Sequence, residues 1–221
     1  MKNLRIKRIS ALASLLPALL AATWLAAQEL PGQPQPGESE DTARLQQQLD
    51  AIQSASGQFE QMIREADGYL IDRQTGTFSL QKPRLLRWDI SELDQLLVSN
   101  GETLYLYDEL FQQVTVRNWS SDPLVNPAAL LLDDIWLGDW AAVSHSGESW
   151  LIEPFGRTTS IREIRLQMQQ GFPSLLLLED FSGQVTEIRF SQVEQNIDLD
   201  SSQFSFEIRA GTEVIYDEVG Q

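Results

Sequence analysis

Apolar and polar residues alternate along most of the chain beyond about residue 57, and that period of two predicts strands. In "KPRLLRWDI", Lys82 to Ile90, the residues Leu86, Trp88 and Ile90 point one way while Leu85, Arg87 and Asp89 point the other. Short segments of this kind, bounded by Gly, Asp or Pro, predict strands over 58–65, 69–73, 77–82 and 85–90. In "LLVSNGETLYLYD" the pair Asn100-Gly101 stands between two further runs and predicts a hairpin. Strands follow in "QQVTVRNW", "WAAVSH", "ESWLIEP", "IREIRLQMQ", "SLLLLED" and "VTEIRFSQVEQN". About ten antiparallel strands make a large meandering sheet, which must curl or be covered.

Two stretches carry a helical period instead. Thr42 is placed to cap a helix with Leu45, Leu49 and Ile52 on one face, ended by Ser54 to Gly57. In "LVNPAALLLDDIW", Asn126 suits a cap and Pro127 the first helical position, which predicts a short helix from Pro127 to about Asp133. Ala128 to Leu132 are apolar nearly all the way round, so this helix must bury itself. The periodicity alone favours an ordinary α+β core, with the helices plugging the sheet, since such patterning is mostly packing; an apolar face left open to a ligand is the alternative.

The amino terminus follows a different pattern. Lys2, Arg5, Lys7 and Arg8 precede an apolar run from Ile9 to about Ala22 and the small residues Ala26 and Ala27, the order of an export signal cleaved near Ala27. An uncleaved membrane anchor is the other reading, and Ser10, Ser14, Pro17 and Thr23 weaken it. Residues 1–27 are therefore expected to be a signal peptide, and 28–40, "QELPGQPQPGESE", a disordered leader rich in Pro, Gly and acid. Residues 41–221 are expected to form the folded domain, outside the cytoplasm once the signal is removed.

Charge and chemistry narrow the function. The formal net charge is −16, and loss of the four basic residues of the signal takes it to −20. Such a surface repels phosphates and anionic headgroups, so no nucleic acid is expected as a partner. The absence of cysteine excludes a disulfide framework, a thiolate nucleophile and an acylated N-terminal cysteine. His145, the only histidine, lies in "VSHSGES" with no GxSxG elbow and reads as a loop or strand-end residue. The acidic pairs Asp133-Asp134 and Asp198/Asp200 lack calcium-loop spacing and read as solvated turns or helix ends. Neither a glycine-rich phosphate loop nor a metal-ligand cluster appears, so no cofactor, no metal and no catalytic residue is expected.

The runs "GTFSLQKPRLLRWDI" (Gly76 to Ile90), "LLVSNGETLYLYDELFQQVTV" (Leu96 to Val116) and "NPAALLL" (Asn126 to Leu132) resemble, in order, the LolA family of periplasmic lipoprotein carriers. "LQQQLDAIQSASGQFEQ" (Leu45 to Gln61) resembles that family's opening helix and strand, and "FSFEIRAGTEVIYD" (Phe204 to Asp217) its closing segment. Each motif alone is weak, and their order after a signal peptide is what makes the resemblance specific.

The resemblance implies a mainly β, α+β fold: an incomplete antiparallel β-barrel of about ten or eleven strands covered by short lid helices. It implies a monomer that performs no catalysis and carries acylated lipoproteins from an inner-membrane ABC transporter to an acylated, LolB-like outer-membrane receptor. By the same resemblance Leu49, Phe59, Leu86, Trp88, Ile90, Leu97, Ala128 and Leu131 face the acyl-chain cavity, with Leu86 where the family often has phenylalanine. The family's lid latch is an arginine before a proline; here that position is Lys82, which lacks the planar fork. Two alternatives stand beside the carrier. One is a periplasmic sensor module of the same half-barrel fold, which usually has a further domain that the 194 residues after the signal are not expected to hold. The other is a hydrolase working through paired carboxylates.

Overall fold

The computed structural model describes Gly37 and residues 39–123, 126–156 and 161–217. The expected signal peptide (1–27) and most of the expected leader (28–40) lie outside the described residues. The first element is α1 (Glu40–Asp50). Its cap is Ser39, whose Oγ accepts the Thr42 amide at 3.0 Å; Thr42, the expected cap, is a buried residue of the first turn. The shift has a simple cause, because Ser39 is the residue with extended backbone and a free hydroxyl before Glu40 and Asp41, two acids that suit the helix's positive end.

Among the described residues twelve strands form one sheet: β1 (Ser54–Arg64), β2 (Leu70–Gln81), β3 (Leu85–Ile90), β4 (Gln95–Asn100), β5 (Thr103–Asp108), β6 (Gln113–Asn118), β7 (Ala141–Ser146), β8 (Ser149–Pro154), β9 (Ile161–Gln169), β10 (Phe172–Asp180), β11 (Val185–Gln195) and β12 (Glu213–Tyr216). The sheet order is β12-β6-β5-β4-β3-β2-β1-β11-β10-β9-β8-β7. All neighbours pair antiparallel except β12, which lies parallel to β6. An open curled sheet with few helices is thus what the pattern predicts, with three differences. Ser54 to Gly57 open β1 rather than close the helix. The segments expected at 69–73 and 77–82 are one strand, β2, because Gly76 sits inside a continuous ladder. The closing segment adds β12 at the edge.

The Asn100-Gly101 hairpin forms as expected, with Gly101 at φ +100° and Asn100 Oδ1 accepting the amides of Glu102 and Thr103. The helix expected over 127–133 is a single turn, α2 (Ala129–Leu132). Asn126 does not cap it; its Nδ2 donates instead to the Ser120 carbonyl at 3.1 Å.

The strand order gives the connection between β6 and β7 a special task. β6 lies next to one edge of the sheet and β7 forms the other, so residues 119–140 must cross the whole inner face. This crossover contains α2 and a 3-10 turn, Leu137–Asp139. With α1 it covers the inner face, where Leu45, Leu49, Ile52, Phe59, Phe78, Leu86, Leu132, Ile152 and Ile164 belong to one buried cluster. On the outer face the chain after β11 packs a 3-10 turn, Ser201–Phe204, on β3 and β4. Phe204 is buried there, and Phe206 lies against Tyr105 and Tyr107.

At the centre of the inner face Phe59 stacks on Trp88, ring centroids 3.8 Å apart, and the Phe59 ring lies over Gly76. A Cβ at Gly76 would sit 2.7 Å from that ring and overlap the Asp89 carbonyl. Gly76→Ala is therefore expected to cost about 1–3 kcal/mol of overpacking strain, read as a lower urea midpoint; an unchanged midpoint would show that the strand gives way freely.

Candidate functional site

Strand alternation brings apolar side chains from both wings of the sheet to one place under α2. Leu80 of β2 pairs with Leu86 of β3, Trp88 of β3 with Leu97 of β4, Leu176 of β10 with Ile188 of β11, and Leu178 with Thr186. These residues, with Phe190 and Gln61, form walls and floor, and Pro127, Ala128, Leu131 and Leu132 form the roof of a cavity of about 250 Å³. Its polar side chains are Gln61, Asn126 and Thr186, and no titratable residue lines it. The lining is mainly apolar.

Five of the residues expected at the cavity, Leu86, Trp88, Leu97, Ala128 and Leu131, line it. The other three do not. Phe59 supports the cavity wall from behind through its stack on Trp88. Leu49 and Ile90 are buried in the inner core. The contribution of β10 and β11 is not legible in the sequence, since Leu175 to Leu178 are four leucines in a row and their pattern does not say which two face inward. The register with β11 decides it.

Polar contacts hold the roof at its downstream end. Asp133, expected in a solvated turn, is buried: one carboxylate oxygen accepts Arg84 Nε and the other accepts Trp119 Nε1 at 2.8 Å. The Arg84 amide donates to the Leu132 carbonyl at 3.2 Å. Four residues on, the Leu137 amide donates to Gln46 Oε1 of α1 at 3.0 Å. Lys82, at the position of the expected latch, has a buried side chain whose Nζ donates to the Leu49 carbonyl at the end of α1. It meets the crossover through the exposed Asp134, at 3.9 Å. Arg84 and Asp133 escape a reading of the sequence because a charged pair separated by 49 residues leaves no periodic trace.

The carboxylates whose pKa departs from the usual range lie in turns away from this cavity. Glu92 is lowered by the Thr75 hydroxyl and amide, Asp180 chiefly by the Ser182 hydroxyl, and Asp200 by the Ser202 amide and hydroxyl. His145 lies near the end of β7 with its ring against Trp150. Among the described residues no three His, Cys, Asp or Glu side chains converge as a metal site. A larger hollow of about 730 Å³ on the outer face is lined mainly by Gln, Ser, Thr and Arg and does not share the apolar character of the covered one.

Comparison with known proteins agrees with this architecture. The family model described as outer membrane lipoprotein carrier protein LolA matches residues 50–207. An outer-membrane lipoprotein carrier protein of Azotobacter vinelandii is 34% identical over 178 residues, covering 78% of this chain and 86% of the relative. One from Chromohalobacter salexigens is 32% identical over 192 residues, covering 84% and 90%. The crystal structure of an uncharacterized conserved protein from Thermus thermophilus superposes with a TM-score of 0.50 at 10% identity, over 79% of this chain and 99% of that one, and bears on the fold alone.

The buried carboxylate gives a direct test of the roof. Asp133→Ala leaves Arg84 and the Trp119 indole without their acceptor, and is expected to cost about 1–3 kcal/mol. Amide hydrogen exchange at Arg84 and Asp133 should speed up with it, and unchanged exchange at Arg84 would mean that this carboxylate does not hold the roof.

Proposed function

The chain belongs to the LolA family of outer membrane lipoprotein carrier proteins, and from that premise we propose that it is a periplasmic carrier of acylated lipoproteins. It accepts them as an inner-membrane ABC transporter releases them, shields their acyl chains under the α2 roof, and passes them to a LolB-like outer-membrane receptor. It acts as a monomer and catalyses nothing. The observation that carries this reading is the apolar cavity without titratable groups, roofed by a crossover whose helix is a single apolar turn.

The energetics suit a shuttle. Each CH₂ kept from water is worth about 0.8 kcal/mol, so three acyl chains left bare would cost several tens of kcal/mol. The roofed cavity of about 250 Å³ is smaller than common ligand pockets of roughly 300–1,000 Å³. Loading therefore requires the roof to lift. Part of the binding energy goes into that movement, which keeps affinity moderate and release possible. The proposed acyl-chain residues are Leu86, Trp88, Leu97, Ala128 and Leu131 at the surface of the cavity, with Leu49, Phe59 and Ile90 behind it as it expands.

Spheroplasts of a Gram-negative cell incubated with the purified mature protein should release soluble lipoprotein in complex with it. Trp88→Glu and Thr186→Glu each put a charge into the cavity wall, and either variant, if folded by circular dichroism, should release at least tenfold less. No release by the folded wild type would sink the carrier reading, and full release by both folded variants would move the acyl chains elsewhere.

A further inference from the structure

The roof is held at both ends. At its upstream end the Trp119 amide donates to the Glu102 carbonyl at 2.7 Å, and Asn126 is tied back to Ser120. The downstream end is gripped by the residues that enter and begin α1. Gly37, at φ +100°, packs backbone to backbone against Gly138 in the 3-10 turn. A Cβ on Gly37 would overlap the Gly138 carbonyl and come 2.9 Å from its Cα. A Cβ on Gly138 would lie 2.9 Å from the Gly37 carbonyl oxygen and 2.5 Å from Trp136 Nε1. Ser39 Oγ reaches the Val143 carbonyl at 3.4 Å, Asp41 Oδ2 accepts the His145 amide at 3.0 Å, and Gln46 takes the Leu137 amide in a buried hydrogen bond.

These contacts join one short stretch of chain to the crossover just beyond α2 and to β7, where the crossover ends. We propose that the residues leading into α1 act as a strap: by clamping the 3-10 turn they fix the downstream anchor of the roof, confine its movement to α2, and so set how readily the cavity opens. The two glycines are what make the clamp possible. Backbone meets backbone at a distance that leaves no room for any side chain, and Gly37 takes a conformation that L-residues avoid. A strap loosened at this point lets the 3-10 turn rise with α2, and the cavity exchanges its contents faster. The strap thus regulates the cavity on which the carrier reading rests.

Two measurements on the full mature chain separate the strap from that reading. Hydrogen exchange is followed at Leu137, Asp139 and Trp140 and across Ala129–Asp133, and the dissociation rate of the neutral apolar fluorophore N-phenyl-1-naphthylamine reports opening without any lipoprotein. Gly37→Val and Gly138→Val test the clamp. Gly147→Val is the control, because Gly147 also has a positive φ but nothing lies within 4 Å of the Cβ it would gain. Both clamp variants are expected to exchange at least tenfold faster at Leu137 and Asp139 and to lose the fluorophore at least threefold faster than wild type, with the control unchanged in both. Exchange in the clamp variants equal to that of the control would overturn the strap. Faster exchange with unaltered fluorophore dissociation would overturn its control over the cavity, and lipoprotein release by the wild type would stand in either case.

Discussion

A twelve-stranded sheet with an apolar inner face has to keep that face from water, and here the task falls on α1 and on the crossover between β6 and β7. Because β1 pairs with both β2 and β11, the two wings of the sheet meet at its middle, and the chain leaves the first wing beside one edge and enters the second at the other. The route from β6 to β7 lies over the inner face. The crossover therefore serves both as connector and as cover, and its sequence is apolar where it passes above the sheet, at Ala129 to Leu132. The cavity follows from this arrangement. α2 is one turn long, too short to fill the space between Leu97 on one wing and Leu178 on the other.

The features legible in the sequence are the local ones. Alternation locates the strands, Asn100-Gly101 locates its hairpin, and the inward set Leu86, Trp88 and Ile90 is readable because polar residues separate its members. Information carried by distant pairing is lost. Neither the burial of Asp133 nor its partnership with Arg84 and Trp119 has a local signature, and an acidic pair after a helix reads as solvent-facing unless its cation is known. The four consecutive leucines of β10 hide their facing for the same reason: only the strand across the ladder sets it. Gly76 misleads in another way, since a glycine between two alternating runs looks like a break. In the fold it makes room for the Phe59 ring within an unbroken strand.

Charge is placed sparingly around the roof. Lys82 is buried beside the carboxyl end of α1, where its ammonium satisfies the Leu49 carbonyl and complements the helix dipole. Arg84, two residues on and partly exposed, supplies the guanidinium to Asp133. Lys82 thus chiefly secures the helix, with a longer contact to the exposed Asp134 of the crossover, and Arg84 secures the buried carboxylate of the crossover. The cavity itself stays free of charge, as it must if apolar contents are to move past its walls without meeting an unpaired ion.

The meeting of β1 with β11 also sets an order of events during folding. Phe59 finds Gly76 within its own hairpin but must wait for Phe190 until nearly all the chain is available. Contacts this far apart in sequence form slowly, because a large loop must close before any of them is gained. Until then the first six strands have a bare inner face and an unpaired edge at β1, an arrangement prone to association with other chains. The second wing therefore arrives as an internal chaperone for the first, and β11, the strand that joins the two wings, is also the one that ends the exposure of the β1 edge.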